Sequence, residues 1–166
     1  FGLSARELTA RRPGLVVAQL SAWGAYGPWA GRRGFDSLVQ AATGIAAIEG
    51  TPGQPGALPA QALDHGTGYL LAAAVLRALT EQASEGCGRV VRLALARTAA
   101  WLTDGVEPGE EALGDGPPQS WLGETDSPIG RLRYALPPVS FDGGPGDWAR
   151  PPGPWGADPA SWAERT

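Results

Sequence analysis

A carboxylate stands at the entrance to the most apolar stretch of this chain. Asp64 closes Ala60-Gln61-Ala62-Leu63-Asp64 and is followed by His65-Gly66-Thr67-Gly68-Tyr69. Residues 70–79 beyond it are apolar except for Arg77. An ionised, partly desolvated carboxylate can attack an activated carbonyl and carry the acyl group covalently. A helix beginning just after Asp64 would favour its charge. Glycines at 66 and 68 would let a substrate come close to the main chain, whose N–H groups could meet a developing oxyanion. The same position is also where an aspartate simply caps a helix, and one residue can do both. His65 is the single histidine. Neighbouring helix side chains point apart, so it reads as a local or substrate-orienting residue rather than a base paired with Asp64.

A second cluster, Arg33-Gly34-Phe35-Asp36, follows the aromatic loop that holds Trp23, Tyr26 and Trp29. Arg33 offers a fixed cation suited to phosphate, or forms a solvated charge pair with Arg32. The aromatic residues could line an acyl pocket or pack against the scaffold. Other chemistries are excluded by composition. One histidine and one cysteine, Cys87, make neither a zinc site nor an internal disulfide. The net charge of −4 without a basic stripe argues against nucleic acid. No apolar run reaches membrane-spanning length, and no signal peptide is visible. A cytoplasmic protein is expected. The chain begins at Phe1 and contains no methionine, which suggests a fragment.

The elements that must position these residues are legible in part. Ser4-Ala5-Arg6-Glu7 has capping-box spacing and predicts a helix to about Arg12, ended by Pro13-Gly14. Residues 15–20 form a nearly continuous apolar strand, as in a sheet covered on both faces. Phe35, Leu38, Val39, Ala42, Ile45 and Ala46 recur at helical spacing and predict one amphipathic helix with Phe35 in its core face. A second helix over about 66–83, apolar nearly all round, is expected inside, with a glycine stop at Gly86. Residues 89–95 read as a strand and 96–103 as a helix. This alternation predicts an α/β layer with parallel strands.

Gly 25 and Pro 16 together make about a quarter of the 166 residues, concentrated in 50–59, 105–118 and 143–156. Residues 129–136 and 139–141 suggest two short strands, Gly143-Gly144-Pro145-Gly146 a turn, and Asp158-Pro159 the start of a last helical turn. The expected organisation is an α/β domain over 1–103, a polar linker over 104–128, and terminal strands with an irregular Pro/Gly-rich tail over 129–166.

The ordered segments together resemble family III CoA-transferases of the CaiB/BaiF type. Arg12-Pro13-Gly14-Leu15-Val16-Val17 is similar to the family's NPRLV strand entry, and Ser21 to Trp29 to its SGFGQTGPY loop. Arg33-Gly34-Phe35-Asp36 with Val39-Gln40-Ala41 and Gly44 resembles RPGFDxxxQAxxG. Leu63-Asp64-His65-Gly66-Thr67-Gly68 resembles the segment bearing the catalytic aspartate. These matches run in register over residues 1–102; the tail is similar only loosely.

The resemblance implies a Rossmann-like parallel sheet with flanking helices, incomplete at its N-terminus, and an interlocked homodimer or pairing with a missing N-terminal portion. It implies Asp64 as nucleophile and Arg33, Gly34, Phe35 and Asp36 as the segment against CoA. Acyl-CoA and a carboxylic acid are the implied substrates, with no permanently bound cofactor and no metal. A racemase of the same group would need a histidine where Phe35 stands. A non-catalytic scaffold that keeps the fold but not the CoA pocket is the competing expectation, since the family's small inserted domain is absent or reduced over 104–128.

Overall fold

Ser4 opens the first helix, α1 (Ala5–Arg11), with the reciprocal bonds the spacing predicts: its hydroxyl accepts from the Glu7 N–H at 3.2 Å, and Glu7 accepts from the Ser4 N–H at 3.2 Å. The computed structural model describes residues 2–105 and 118–162. The chain divides into two compact units, Phe1–Pro108 and Gly109–Thr166.

In the first unit, β1 (Val17–Ser21) pairs in parallel with β2 (Val90–Ala94), in the register Val17 to Val90 through Ser21 to Ala94. The connection between them carries α2 (Asp36–Ala42), α3 (Ile45–Ile48) and the 24-residue α4 (Ala62–Glu85). α5 (Leu95–Asp104) follows β2 without a loop. The Ala96 N–H donates to the Ala22 carbonyl at 2.9 Å, which ties the first turn of α5 to the chain leaving β1. The expected α/β architecture, a parallel sheet with flanking helices, is therefore present.

Three expectations need correction. The single amphipathic helix over 35–46 is two helices, because Gly44 takes a left-handed backbone with φ 91° that a side chain would resist. Phe35 precedes α2 as its N-cap and is 72% exposed, so it is not core. The buried face of α2 carries Asp36, Val39 and Gln40 instead. Finally, α4 is not enclosed. Only Leu63, Thr67 and Ala78 are buried along it, and Leu76 is 65% exposed. The helix packs on β2 and α5 along one side, and among the described residues nothing covers the other.

The core lies under the first turn of α4. Val39, Ile45, Leu63, Leu95 and Ala99 form one buried cluster, with Ala22, Trp23, Leu58 and Ala96 packed against it. Leu63 is fully buried, which is worth about 1.5–3 kcal/mol. Thr67 and Thr98 share a buried hydroxyl–hydroxyl bond of 2.7 Å that joins α4 to α5. At the far end Glu81 accepts from Arg77 at 2.8 Å and from Arg89 at 3.2 Å, linking α4 to the start of β2. The exposed Cys87 lies between Gly86, the C-cap of α4, and Arg89.

The second unit is a hairpin. A 3₁₀ turn (Pro118–Trp121) leads into β3 (Leu122–Ser127), which pairs antiparallel with β4 (Gly130–Ala135). β4 matches the strand expected over 129–136. β3 falls inside the stretch read as a polar linker; residues 106–117 of that stretch lie outside the described residues. The Trp148 indole donates to the Ala135 carbonyl at 2.9 Å, and the Tyr134 hydroxyl donates to Asp147 at 2.7 Å. The tail is thus fastened back on the hairpin. Residues 139–141 form no strand. Pro137 and Pro138 have no N–H to offer a ladder, and three residues are too few without one. The glycine run does turn, with the Gly144 N–H donating to the Phe141 carbonyl at 2.8 Å. Residues 158–162 form no helical turn, since one turn without a packing surface does not repay its nucleation.

Candidate active site

α4 begins earlier than its composition suggests. Gln61 is the N-cap and makes no side-chain capping bond, so Asp64 occupies the third helical position rather than the cap. Asp64 is exposed while its neighbour Leu63 is wholly buried. The buried leucine therefore fixes the rotation of the helix and turns the aspartate outward. Among the described residues nothing hydrogen-bonds to the Asp64 side chain. As an acid in the first turn it sits in the favourable end of the helix field.

The early start also corrects the oxyanion expectation. The amides of Gly66 and Gly68 fall inside the helical ladder, where each already donates four residues back. What the glycines provide is room. A methyl group at Gly68 would meet nothing within 4 Å, and one at Gly66 would rest on Thr98 at 3.7 Å. His65 is exposed, its amide donating to the Gln61 carbonyl at 3.0 Å.

The Arg33–Asp36 segment is built by a close approach. A Cβ on Gly34 would stand 2.5 Å from that of Ala22 and 2.9 Å from the Trp23 indole nitrogen. The same indole nitrogen donates to the Arg33 carbonyl at 3.3 Å. Trp29 meets Trp23 edge-on with ring centroids 4.6 Å apart. The aromatic loop therefore packs as a bracket for the segment. A shallow groove beside it is lined by Leu20, Trp23, Arg33, Gly34 and Phe35. Arg33 is exposed and forms no ion pair with a described residue, so its charge faces solvent at the groove.

Asp36 departs from its three predecessors. It is 2% exposed, with one oxygen accepting from the Asp64 backbone N–H at 2.9 Å and the other from the Gln40 side-chain amide. Contact with CoA, which the resemblance implies, would require displacing those donors. The Gln40 oxygen accepts from the Leu58 N–H at 3.0 Å, and its nitrogen also donates to the Ala60 carbonyl at 3.3 Å. Reading the sequence for chemistry gives Gln40 no role beyond its place in the family motif. The available signal is two polar residues spaced i, i+4 on a helix face that must be buried. Asp64 does not line the groove beside Arg33; the structure joins the two candidate clusters through Asp36.

A parallel strand pair with flanking helices, an aromatic bracket and an exposed carboxylate in the first turn of a long helix define an α/β scaffold that turns a reactive group outward. The profile of CoA-transferase family III matches residues 1–128, and the chain belongs to that family. It is 38% identical over 103 residues to the probable fatty acyl-CoA transferase Rv3272 of Mycobacterium tuberculosis, covering 61% of this chain and 26% of that protein. It is 28% identical over 116 residues to the succinyl-CoA–L-malate CoA-transferase alpha subunit of Chloroflexus aurantiacus, covering 69% and 27%. The crystal structure of the mycobacterial protein superposes with a TM-score of 0.58 at 37% identity, over 63% of this chain and 30% of that one. A CaiB/BaiF family protein from Brucella suis gives 0.55 at 25% identity, over 81% and 38%. The chain thus spans about a quarter of the length of these curated relatives. Among the described residues no helix is long and apolar enough to cross a membrane, and no group of three potential ligands could hold a metal ion.

Proposed function

We propose that the chain carries the nucleophile of a CoA-transferase that moves CoA from an acyl-CoA thioester to a carboxylic acid, with Asp64 as the covalent carrier. The Asp64 carboxylate attacks the thioester carbonyl; the C–S bond breaks, CoA leaves as a thiolate, and a mixed anhydride remains. The thiolate then attacks the aspartyl carbonyl, which releases the donor acid and leaves an aspartyl-CoA thioester. The acceptor carboxylate attacks that thioester, and the returning thiolate takes the new acyl group while Asp64 is restored. Each step exchanges groups of similar acyl potential, so one difficult transfer becomes several moderate ones.

The observation that carries the reading is the outward carboxylate of Asp64 on the buried pedestal of Leu63, within the segment matched to the family. Arg33, Gly34 and Phe35 would lie against CoA, with the exposed Arg33 guanidinium serving a phosphate. Residues 1–103 would form the part of the large domain that holds the nucleophile. The reading extends to a cytoplasmic enzyme that works as an interlocked homodimer or with a further N-terminal portion. The uncovered side of α4 and the two-stranded parallel sheet support the pairing, because parallel sheets are ordinarily buried on both faces.

The test is chemical trapping. Incubation with an acyl-CoA and hydroxylamine should leave a hydroxamate at Asp64, located by mass spectrometry. Asp64→Ala should keep the fold and lose turnover by a factor on the order of 10³ or more. A chain that neither binds CoA nor forms the adduct is the non-catalytic scaffold instead.

A further inference from the structure

We infer that the buried carboxylate of Asp36 is a positioning residue for the nucleophile: it fixes the backbone of Asp64 and so the line along which that side chain meets a thioester. The inference rests on the reading of Asp64 as nucleophile.

The first four amides of a helix lack an intrahelical acceptor. In α4 these belong to residues 61–64, and the Gln61 side chain makes no capping bond. The Asp64 N–H instead donates 2.9 Å to Asp36, which reaches it from another helix. An acceptor is therefore supplied from a distance to the one amide whose own residue carries the reactive carboxylate. Burying a charge at 2% exposure is unfavourable unless donors meet it. Here a helix N-terminus and the Gln40 amide do so, and charge-assisted bonds of this kind are short and directional. Gln40 completes the clamp by gripping the Leu58 N–H and the Ala60 carbonyl on the segment leading into α4. The backbone entering α4 is thus held at residues 58, 60 and 64 from a single face of α2. At 2% exposure the carboxylate is closed to a substrate, so a structural or positioning role competes with the CoA contact suggested by the resemblance.

Three measurements on the full-length protein separate these roles. Amide hydrogen exchange at Asp64 reads the bond directly, because helix formation alone does not protect that position. Protection should fall at least about tenfold in Asp36→Ala. Steady-state kinetics should show kcat reduced about 10- to 100-fold, as expected for a misplaced reacting group, with KM for acyl-CoA nearly unchanged. The rate of hydroxamate formation at Asp64 should fall with kcat. The double variant D36N/Q40E moves the charge four residues along, one turn of α2, keeping an acceptor for Asp64, a donor–acceptor contact between the pair and an acceptor for Leu58 while giving up only the long bond to the Ala60 carbonyl. It should recover both protection and kcat to within several-fold of wild type. If Asp36→Ala does not fold, Asp36→Asn is read by the same measurements and should show the same directions.

An Asp64 amide that exchanges equally in wild type and variant overturns the inference. So does a folded variant with unchanged kcat and trapping rate, which would make Asp36 merely structural. A raised KM at unchanged kcat would make it a CoA contact. A wild-type protein that traps no adduct at Asp64 sinks the functional reading itself, and the positioning role falls with it. An adduct that forms equally fast with and without Asp36 sinks the positioning role alone.

Discussion

Leu63 and Asp64 are adjacent, yet one is wholly buried and the other open to solvent. At this scale a reactive group inherits its direction from a neighbour that does no chemistry. Gly34 shows the same dependence. Any Cβ there would press into Ala22 and the Trp23 ring, so Gly34→Ala must push the indole off the Arg33 carbonyl that it binds. Overpacking of this kind costs about 1–3 kcal/mol. The urea midpoint should drop accordingly, and acyl-CoA should bind more weakly because Arg33 and Phe35 move with the bracket. An unchanged midpoint would mean that Trp23 swings aside freely. Residue types exposed Asp64 and the Arg33–Asp36 segment as chemistry-bearing. The bond between them escaped because it joins positions 28 apart in the chain, and no local spacing announces such a contact.

Among the elements, α4 decides most of the outcome. Its composition is apolar all round, which predicts an enclosed helix, but composition records what a surface tolerates rather than what is present to cover it. Its one packed side is pinned by the Thr67–Thr98 hydroxyl pair. Thr98→Val leaves the Thr67 hydroxyl buried without that partner, at a cost of about 1–3 kcal/mol. Thr67→Val should cost less, because the Thr98 hydroxyl retains a long contact to the Ala94 carbonyl at 3.5 Å. The double valine variant should lie well below the sum of the two, since no hydroxyl is then stranded. Denaturant unfolding of all three variants checks this, and additive costs would show that the hydroxyls are not coupled. Where capping chemistry is local, as at Ser4 and Glu7, the sequence is sufficient. It is insufficient at Thr43-Gly44, where helical periodicity continues through a glycine that breaks the helix. β3 was invisible for a related reason: Leu122-Gly123-Glu124-Thr125-Asp126-Ser127 has no apolar alternation, and pairing with β4 alone makes it a strand.

For the molecule as a whole, the order of elements in the first unit was readable because strands with a covered face and capped helices leave periodic marks. The tail was not, because proline and glycine remove both the donors and the side chains from which such marks are made. A global property follows from the ion-paired link at the end of α4. The Arg77 hydrogen bond, aided by Arg89, holds the Glu81 carboxyl below its ordinary value of 4.5. A carboxyl lowered on folding adds stability above its ordinary pKa, and that stability is lost as pH falls through the lowered one. The thermal midpoint should therefore decline as pH drops below about 4.5, and Glu81→Gln should flatten part of that decline by lowering the midpoint at pH 7 while changing it little in acid. An identical acid limb in the variant would assign the loss to other carboxylates.

Cys87 gives the molecule a practical asymmetry. It is the lone sulfur of the chain and lies in the open just past the C-cap of α4. At a rise of about 1.5 Å per residue it sits roughly 30–35 Å from Asp64 along the same rigid rod. A maleimide dye placed there becomes a ruler with its zero mark far from the reaction. Energy transfer to a fluorescent thioester analogue would then report occupancy at the opposite tip of the helix.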